Sequence, residues 1–211
     1  MNNISMIFNA SELALAAYAN LTPGVTDNPI RQAALVAAGL SAKQAEEFAK
    51  KYPEILTQYT DTPAEGGLGT SFSATVFKDT TGNLTLAIRG TAELVGTPND
   101  ILPSDTDIAL AGASFDQIVA LWNWWQRVSH AAGTLVPQYH LTGTPTNPGQ
   151  AVFIQSSLGQ WLEPIASVAA TGTLVAALGA DSDYQLDVTG QQSGWAFWPA
   201  FGPCFGAPRT R

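Results

Sequence analysis

The stretch LTLAIRGT, residues 84–91, sets Leu84, Leu86 and Ile88 alternately with Thr85, Ala87 and Arg89 and then breaks at Gly90. Alternation of period two is the signature of a β-strand, and a glycine at its end marks the point where the chain turns out. The preceding TSFSATVFKD, residues 70–79, alternates in the same way, and Thr80-Thr81-Gly82 separates the two runs. Two alternating runs joined by a short glycine-containing segment predict a β-hairpin over 70–90.

Downstream of this hairpin the chain changes character twice. A polar loop, AELVGTPNDILPSDTD, leads into GASFDQIVALWNWWQRVSHAAG, where Phe115, Ile118, Val119, Trp122 and Trp125 recur at helical spacing. A long amphipathic helix over 112–130 is expected, its tryptophans serving as core. Residues 141–165 are rich in Gly, Pro, Thr and Asn, with one apolar run, AVFI, and an exposed-looking Trp161, and read as a loop-rich insertion. YQLDVTG, residues 184–190, then alternates again and ends at Gly190, as a strand feeding a tight turn does.

Upstream, residues 1–60 read as mostly helical. Asn9 is a candidate N-cap with Glu12 three positions on, Asn28-Pro29 opens a second helix, and SAKQ at Ser41 has the spacing of a capping box before AEEFAKKY.

The 211 residues, 45% of them apolar, suit one domain with a sizeable core. Seventeen acids against nine bases give a net charge of −8, which argues against nucleic acid or an anionic membrane surface as partner. Cys204 is the single cysteine, so an intramolecular disulfide and a cysteine-rich metal site are excluded. The N-terminal run lacks a basic residue ahead of its apolar residues and contains Glu12, a poor match to an export signal. ASVAATGTLVAALGA at 166–180 is too short to span a bilayer. A soluble chain without a transmembrane segment is expected.

The succession of strand, Arg89-Gly90-Thr91, acid-rich loop, Asp107-Ile108, Gly112-Ala113-Ser114-Phe115 and long helix, closed by the VTG strand at 188–190, resembles the class 3 lipase branch of the α/β-hydrolases over roughly residues 70–190. The resemblance implies an α/β fold: an incomplete α/β-hydrolase-type sheet with flanking helices and a helical N-terminal region. Residues 1–190 would form the partial domain (helical 1–60, hairpin 70–90, long helix 112–130, elbow strand 184–190), and 191–211 an atypical tail. It also implies ester or lipid substrates, no cofactor, and Thr91 as one oxyanion-hole donor, a contribution of about 3 kcal/mol to transition-state stabilisation. Without such ancestry, Arg89-Gly90-Thr91 would simply turn the chain, with Arg89 paired to Asp100, Asp105 or Asp107.

The second half of that chemistry is missing. A nucleophile elbow places serine between glycines, G-x-S-x-G, because the strand-to-helix turn is too sharp for larger neighbours. Here Gly190-Gln191-Gln192-Ser193-Gly194 puts serine one place late. Ser193 is therefore a displaced candidate nucleophile. Codons for GQQSGWA exist from which deletion of the third base of the Gln191 codon yields GHSLGGH, so a frame-shifted tail is expected. After Val188 the chain has no Leu, Ile or Val, yet it holds two Trp, three Phe, three Pro and Cys204. A structured aromatic cap and a disordered apolar tail are the alternatives.

Residues 191–211 contain no Asp, Glu or His, so no triad of hydrolase order can be completed there. His130 and His140 lie upstream and read as partly exposed structural histidines. Asp100, Asp105 and Asp107 read as a solvated acidic loop, lacking the pattern of a calcium loop. The expected function is that of a lipase- or esterase-family chain, weakly active or inactive. The alternatives are an atypical serine esterase using Ser193 and a non-catalytic binding module. Half of a doubly wound sheet leaves an edge uncovered, through which self-association is expected.

Overall fold

Proline decides where the N-terminal helices stop and the sheet begins. Pro53 has no amide hydrogen and pushes the residue before it out of the helical region. Tyr52 accordingly sits at φ −116° and ψ 76°. The computed structural model describes residues 3–25, 28–62, 70, 72–89, 115–154, 159–178 and 186–190. Its elements in chain order are α1 (Asn3–Ala16), α2 (Asn28–Ala37), α3 (Ala42–Lys51), β1 (Glu54–Thr60), β2 (Ser73–Lys78), β3 (Leu84–Arg89), α4 (Phe115–Ser129), β4 (Leu135–Thr142), β5 (Val152–Ile154), β6 (Gln160–Ala169), α5 (Thr173–Leu178) and β7 (Leu186–Gly190). Helices and strands are thus mixed, in open sheets.

Two compact units divide the chain. The first is Met1–Tyr59, Ser73–Gly90 and Asp181–Arg211; the second is Thr60–Phe72 and Thr91–Ala180.

In the first unit the helical run stops at Lys51, short of the residue 60 expected from sequence, because EILTQYT becomes strand β1. Asn9 lies inside α1 and not at its cap, since the helix begins at Asn3. Ser41 does cap α3: its hydroxyl accepts the Gln44 amide at 3.3 Å and its own amide donates to Gln44 Oε1 at 3.0 Å. Buried Arg31 of α2 donates to the carbonyls of Tyr52 and Pro53, which satisfies acceptors left over at the end of α3. Small residues, Ala16, Ala17 and Ala45, let the helices approach Phe48, Phe77 and Ala87 closely in one core. Phe48 meets Phe77 edge-on, ring centres 5.4 Å apart. Burial, reinforced by Asp79, Glu12 and Asp187, pushes the neighbouring Tyr52 phenol up to about 12.

The sheet of this unit runs β1-β2-β3-β7. β2 and β3 are antiparallel, Ser73 opposite Arg89 and Lys78 opposite Leu84. Asp79 organises the turn between them, accepting from the amides and side chains of Thr81 and Asn83, while Gly82 takes a φ of 89°. Both faces of the hairpin are covered, so the alternating Thr75 and Thr85 are buried too. Gln58 of β1 donates to the Thr75 hydroxyl at 2.9 Å. β7 joins β3 in parallel, Leu84 opposite Leu186 and Ile88 opposite Gly190.

In the second unit α4 packs against β4, and the antiparallel sheet has the order β4-β6-β5. The buried residues of α4 are Gln117, Val119, Ala120, Leu121, Asn123, Trp124, Trp125 and Val128; of the stripe that apolar spacing marks, Val119 and Trp125 are among them, whereas Phe115, Ile118 and Trp122 are only half-buried. Two of the buried residues, Asn123 and Gln117, are polar. Asn123 Nδ2 donates to the Tyr139 carbonyl at 2.7 Å, and Oδ1 accepts the Tyr139 amide at 2.9 Å. Trp124 packs between Phe72 and Trp125, each pair of ring centres 6.1 Å apart.

Residues 141–165 are not loop throughout: β4 reaches Thr142, and β5 and most of β6 fall within the segment, while 143–151 form the connection between β4 and β5. Pro164 sits within β6 opposite Tyr139, and an internal proline argues against a strand when only the sequence is read. Past α4 the chain doubles back at Thr171 and Gly172, whose amides donate to the Arg127 carbonyl at 2.8 and 3.2 Å.

Candidate functional site

Parallel strands present their carboxyl ends on the same side of a sheet, and in open α/β sheets ligands gather outside those ends. β3 and β7 are such a pair in the first unit. Ala87 lies opposite Thr189 and Ile88 opposite Gly190, so the two strands end level with each other. Helix α1 packs on both, and the Thr189 hydroxyl reaches the Ala10 carbonyl at 3.4 Å.

Arg89 closes this edge. Alternation along β3 puts its side chain on the face of Ala87, which α1 covers. Its guanidinium carbon stands 5.7 Å from the centre of the Tyr18 ring, a cation–π distance. Nε is buried and has no hydrogen-bond partner. Burial draws the guanidinium below its ordinary range, with Tyr18 opposing the shift. No carboxylate among the described residues pairs with it, while Asp100, Asp105 and Asp107 lie outside them.

Thr91 and Ser193, the oxyanion donor and displaced nucleophile expected from sequence, also lie outside the described residues. What is brought together is the pair of strand ends that precede them in sequence.

The two histidines belong to the second unit. Exposed His130 follows α4, and its Nδ1 lies 2.9 Å from the Gln126 carbonyl. His140 of β4 faces Glu163 of β6 across the ladder, Nε2 to Oε2 at 3.3 Å. The backbone amides of Asn147 and Thr146 donate to Glu163 at 2.6 and 3.1 Å. These two hydrogen bonds, with His140 contributing, hold the Glu163 carboxyl below its usual range despite the opposing effect of desolvation. Glu163 is thus the anchor of the turn after β4. Its isolated place in the run Trp161-Leu162-Glu163-Pro164-Ile165 is the sequence signal that points to such a role.

Among the described residues no three His, Cys, Asp or Glu side chains gather to hold a metal ion, and no helix is long and apolar enough to cross a membrane. No family model matches the chain, and no match appears among curated proteins or solved structures.

Proposed function

We infer that this chain is built on the plan of a carboxylic ester hydrolase of the lipase and esterase type, and that as it stands it turns over esters weakly or not at all. The observation that supports the plan is the parallel pairing of β3 with β7, which sets Ile88 beside Gly190. The residues that follow Arg89 and those that follow Gly190 therefore continue from adjacent strand ends, as acyl transfer requires of an oxyanion donor and a nucleophile. Weak activity follows from the sequence after the strand: Gly190-Gln191-Gln192-Ser193-Gly194 puts glutamine where the G-x-S-x-G turn would hold the serine, so the hydroxyl is one place late for the nucleophile position.

Hydrolysis of p-nitrophenyl butyrate by the 211-residue protein, Ser193→Ala and Thr91→Ala tests this reading. Rates near the buffer background, unchanged in Ser193→Ala, are expected. Ready turnover that disappears in Ser193→Ala would favour an atypical serine esterase instead. The coding DNA bears on the ancestry, which loses its main support if no single-base deletion restores GHSLGG after Gly190.

A non-catalytic interaction module is the second reading, favoured by Leu135, Val152 and Phe153, which the sheet of the second unit leaves exposed. Sedimentation velocity that finds a monomer at every concentration, with no partner-dependent shift, counts against it.

A further inference from the structure

The cations of the first unit are mostly committed. Arg31 is engaged by the carbonyls of Tyr52 and Pro53, Lys50 by Glu46 and Glu47, Lys78 by Glu54, and Lys51 lies over the Tyr52 ring. Arg89 differs. Among the described residues no hydrogen bond or ion pair engages its guanidinium, although Nε is shut away from water. A buried Nε–H without an acceptor is unfavourable, because that donor has left water and met nothing in return, while the Nη groups of the half-buried side chain stay open to an acceptor from solution. The Tyr18 ring, its centre 5.7 Å from the guanidinium carbon, offers a cation–π contact but no hydrogen-bond acceptor for the N–H donors.

We propose that Arg89, braced by Tyr18, anchors a binding site for a monoanionic carboxylate at the carboxyl edge of β3 and β7. The class of ligand follows from shape and charge. The planar fork of arginine matches the two oxygens of a carboxylate. One cation balances one negative charge, whereas a phosphate dianion would stay half neutralised in a chain of net charge −8. The place follows from the level ends of the parallel strands at Ile88 and Gly190. The site is independent of ester turnover, since holding a carboxylate requires no nucleophile.

The test is a titration of the full chain with sodium butyrate at constant ionic strength, following the Nε–H resonance of Arg89 by NMR. That resonance is assigned by its proximity to the Tyr18 ring and, as a second route, by its loss in Arg89→Lys. A saturable displacement by butyrate that chloride does not reproduce is the expected result. Calorimetry should then show butyrate binding weakened about tenfold in Arg89→Gln. The proposal is overturned if butyrate displaces the resonance no more than chloride, if phosphate binds as tightly as butyrate, or if folded Arg89→Gln binds butyrate like the parent. Because the resonance is read in the unmodified chain, misfolding of either variant leaves the first criterion in force.

Discussion

The Asn123 carboxamide and the Tyr139 backbone exchange two hydrogen bonds, at 2.7 and 2.9 Å, so that a helix side chain occupies the hydrogen-bonding edge of β4. An edge strand ordinarily leaves such groups to water or to a neighbouring strand. Here the helix that covers the sheet also satisfies part of its edge. Replacing Asn123 with Ala strands a part-buried amide and carbonyl, and should destabilise the second unit by about 2 kcal/mol. Urea unfolding measures this, and an unchanged midpoint would mean that water serves Tyr139 equally well.

Arg31→Ala should cost about 3 kcal/mol, since it removes two charge-assisted hydrogen bonds to the carbonyls of Tyr52 and Pro53. Arg31→Lys keeps the charge but loses the fork, and should recover only part of the deficit. Equal unfolding midpoints for Lys and Arg would show that charge alone holds the end of α3.

The Glu163 carboxyl is held below its ordinary value of 4.5 by the amides of Asn147 and Thr146. A depressed carboxyl contributes stability that is fully present above the unfolded value and is lost as pH falls through the folded one. Unfolding followed from pH 7 into the acid range should therefore show the parent losing stability below the ordinary glutamate range. Glu163→Gln should begin less stable and show less of that acid loss. Parallel pH profiles for the two proteins would remove Glu163 as the titrating group.

Gly172 has a φ of +69°, and a Cβ built there would lie 2.7 Å from the Ala132 amide nitrogen. Gly24 has a similar φ of +76° with nothing within 4 Å. Gly172→Ala should therefore cost about 3 kcal/mol and Gly24→Ala about 1 kcal/mol, the difference being the clash with backbone that cannot turn aside. Thermal unfolding of both variants separates the two terms, and equal losses would mean that the Ala132 segment yields.

Local signals in the sequence were those whose partners are near in sequence. Ser41 and Gln44 cap a helix three residues apart, and Asp79 and Gly82 make one turn. β1 escapes the same reading because Gln58, a polar residue in the middle of EILTQYT, is satisfied by Leu21, Ala19 and Thr75, far from it along the chain. β6 escapes because Glu163 and Pro164 break its apolar run, and their partners His140, Asn147 and Tyr139 lie on other segments. Alternation in the hairpin marks strands but misjudges their surroundings: Thr75 and Thr85 are buried, whereas alternating threonines ordinarily signal a wetted face. At the candidate site the strand ends were legible as LTLAIRGT and YQLDVTG, each a strand stopping at glycine. That the two strands are neighbours was not, because strand pairing leaves no mark on either segment by itself. Arg89 was legible as a cation, but its cation–π contact with Tyr18 depends on where α1 ends over the sheet.

The parallel pairing of Leu84 with Leu186 has a kinetic meaning. The β2–β3 hairpin closes over a few residues, whereas β7 can dock only after about a hundred intervening residues have brought it back, a far larger loop-closure cost. Until that closure occurs, β3 has one side unpaired. The seam between β3 and β7 would be the last part of the sheet to form and the first to part, which makes it the place where a newly made chain is most open to pairing with the wrong strand.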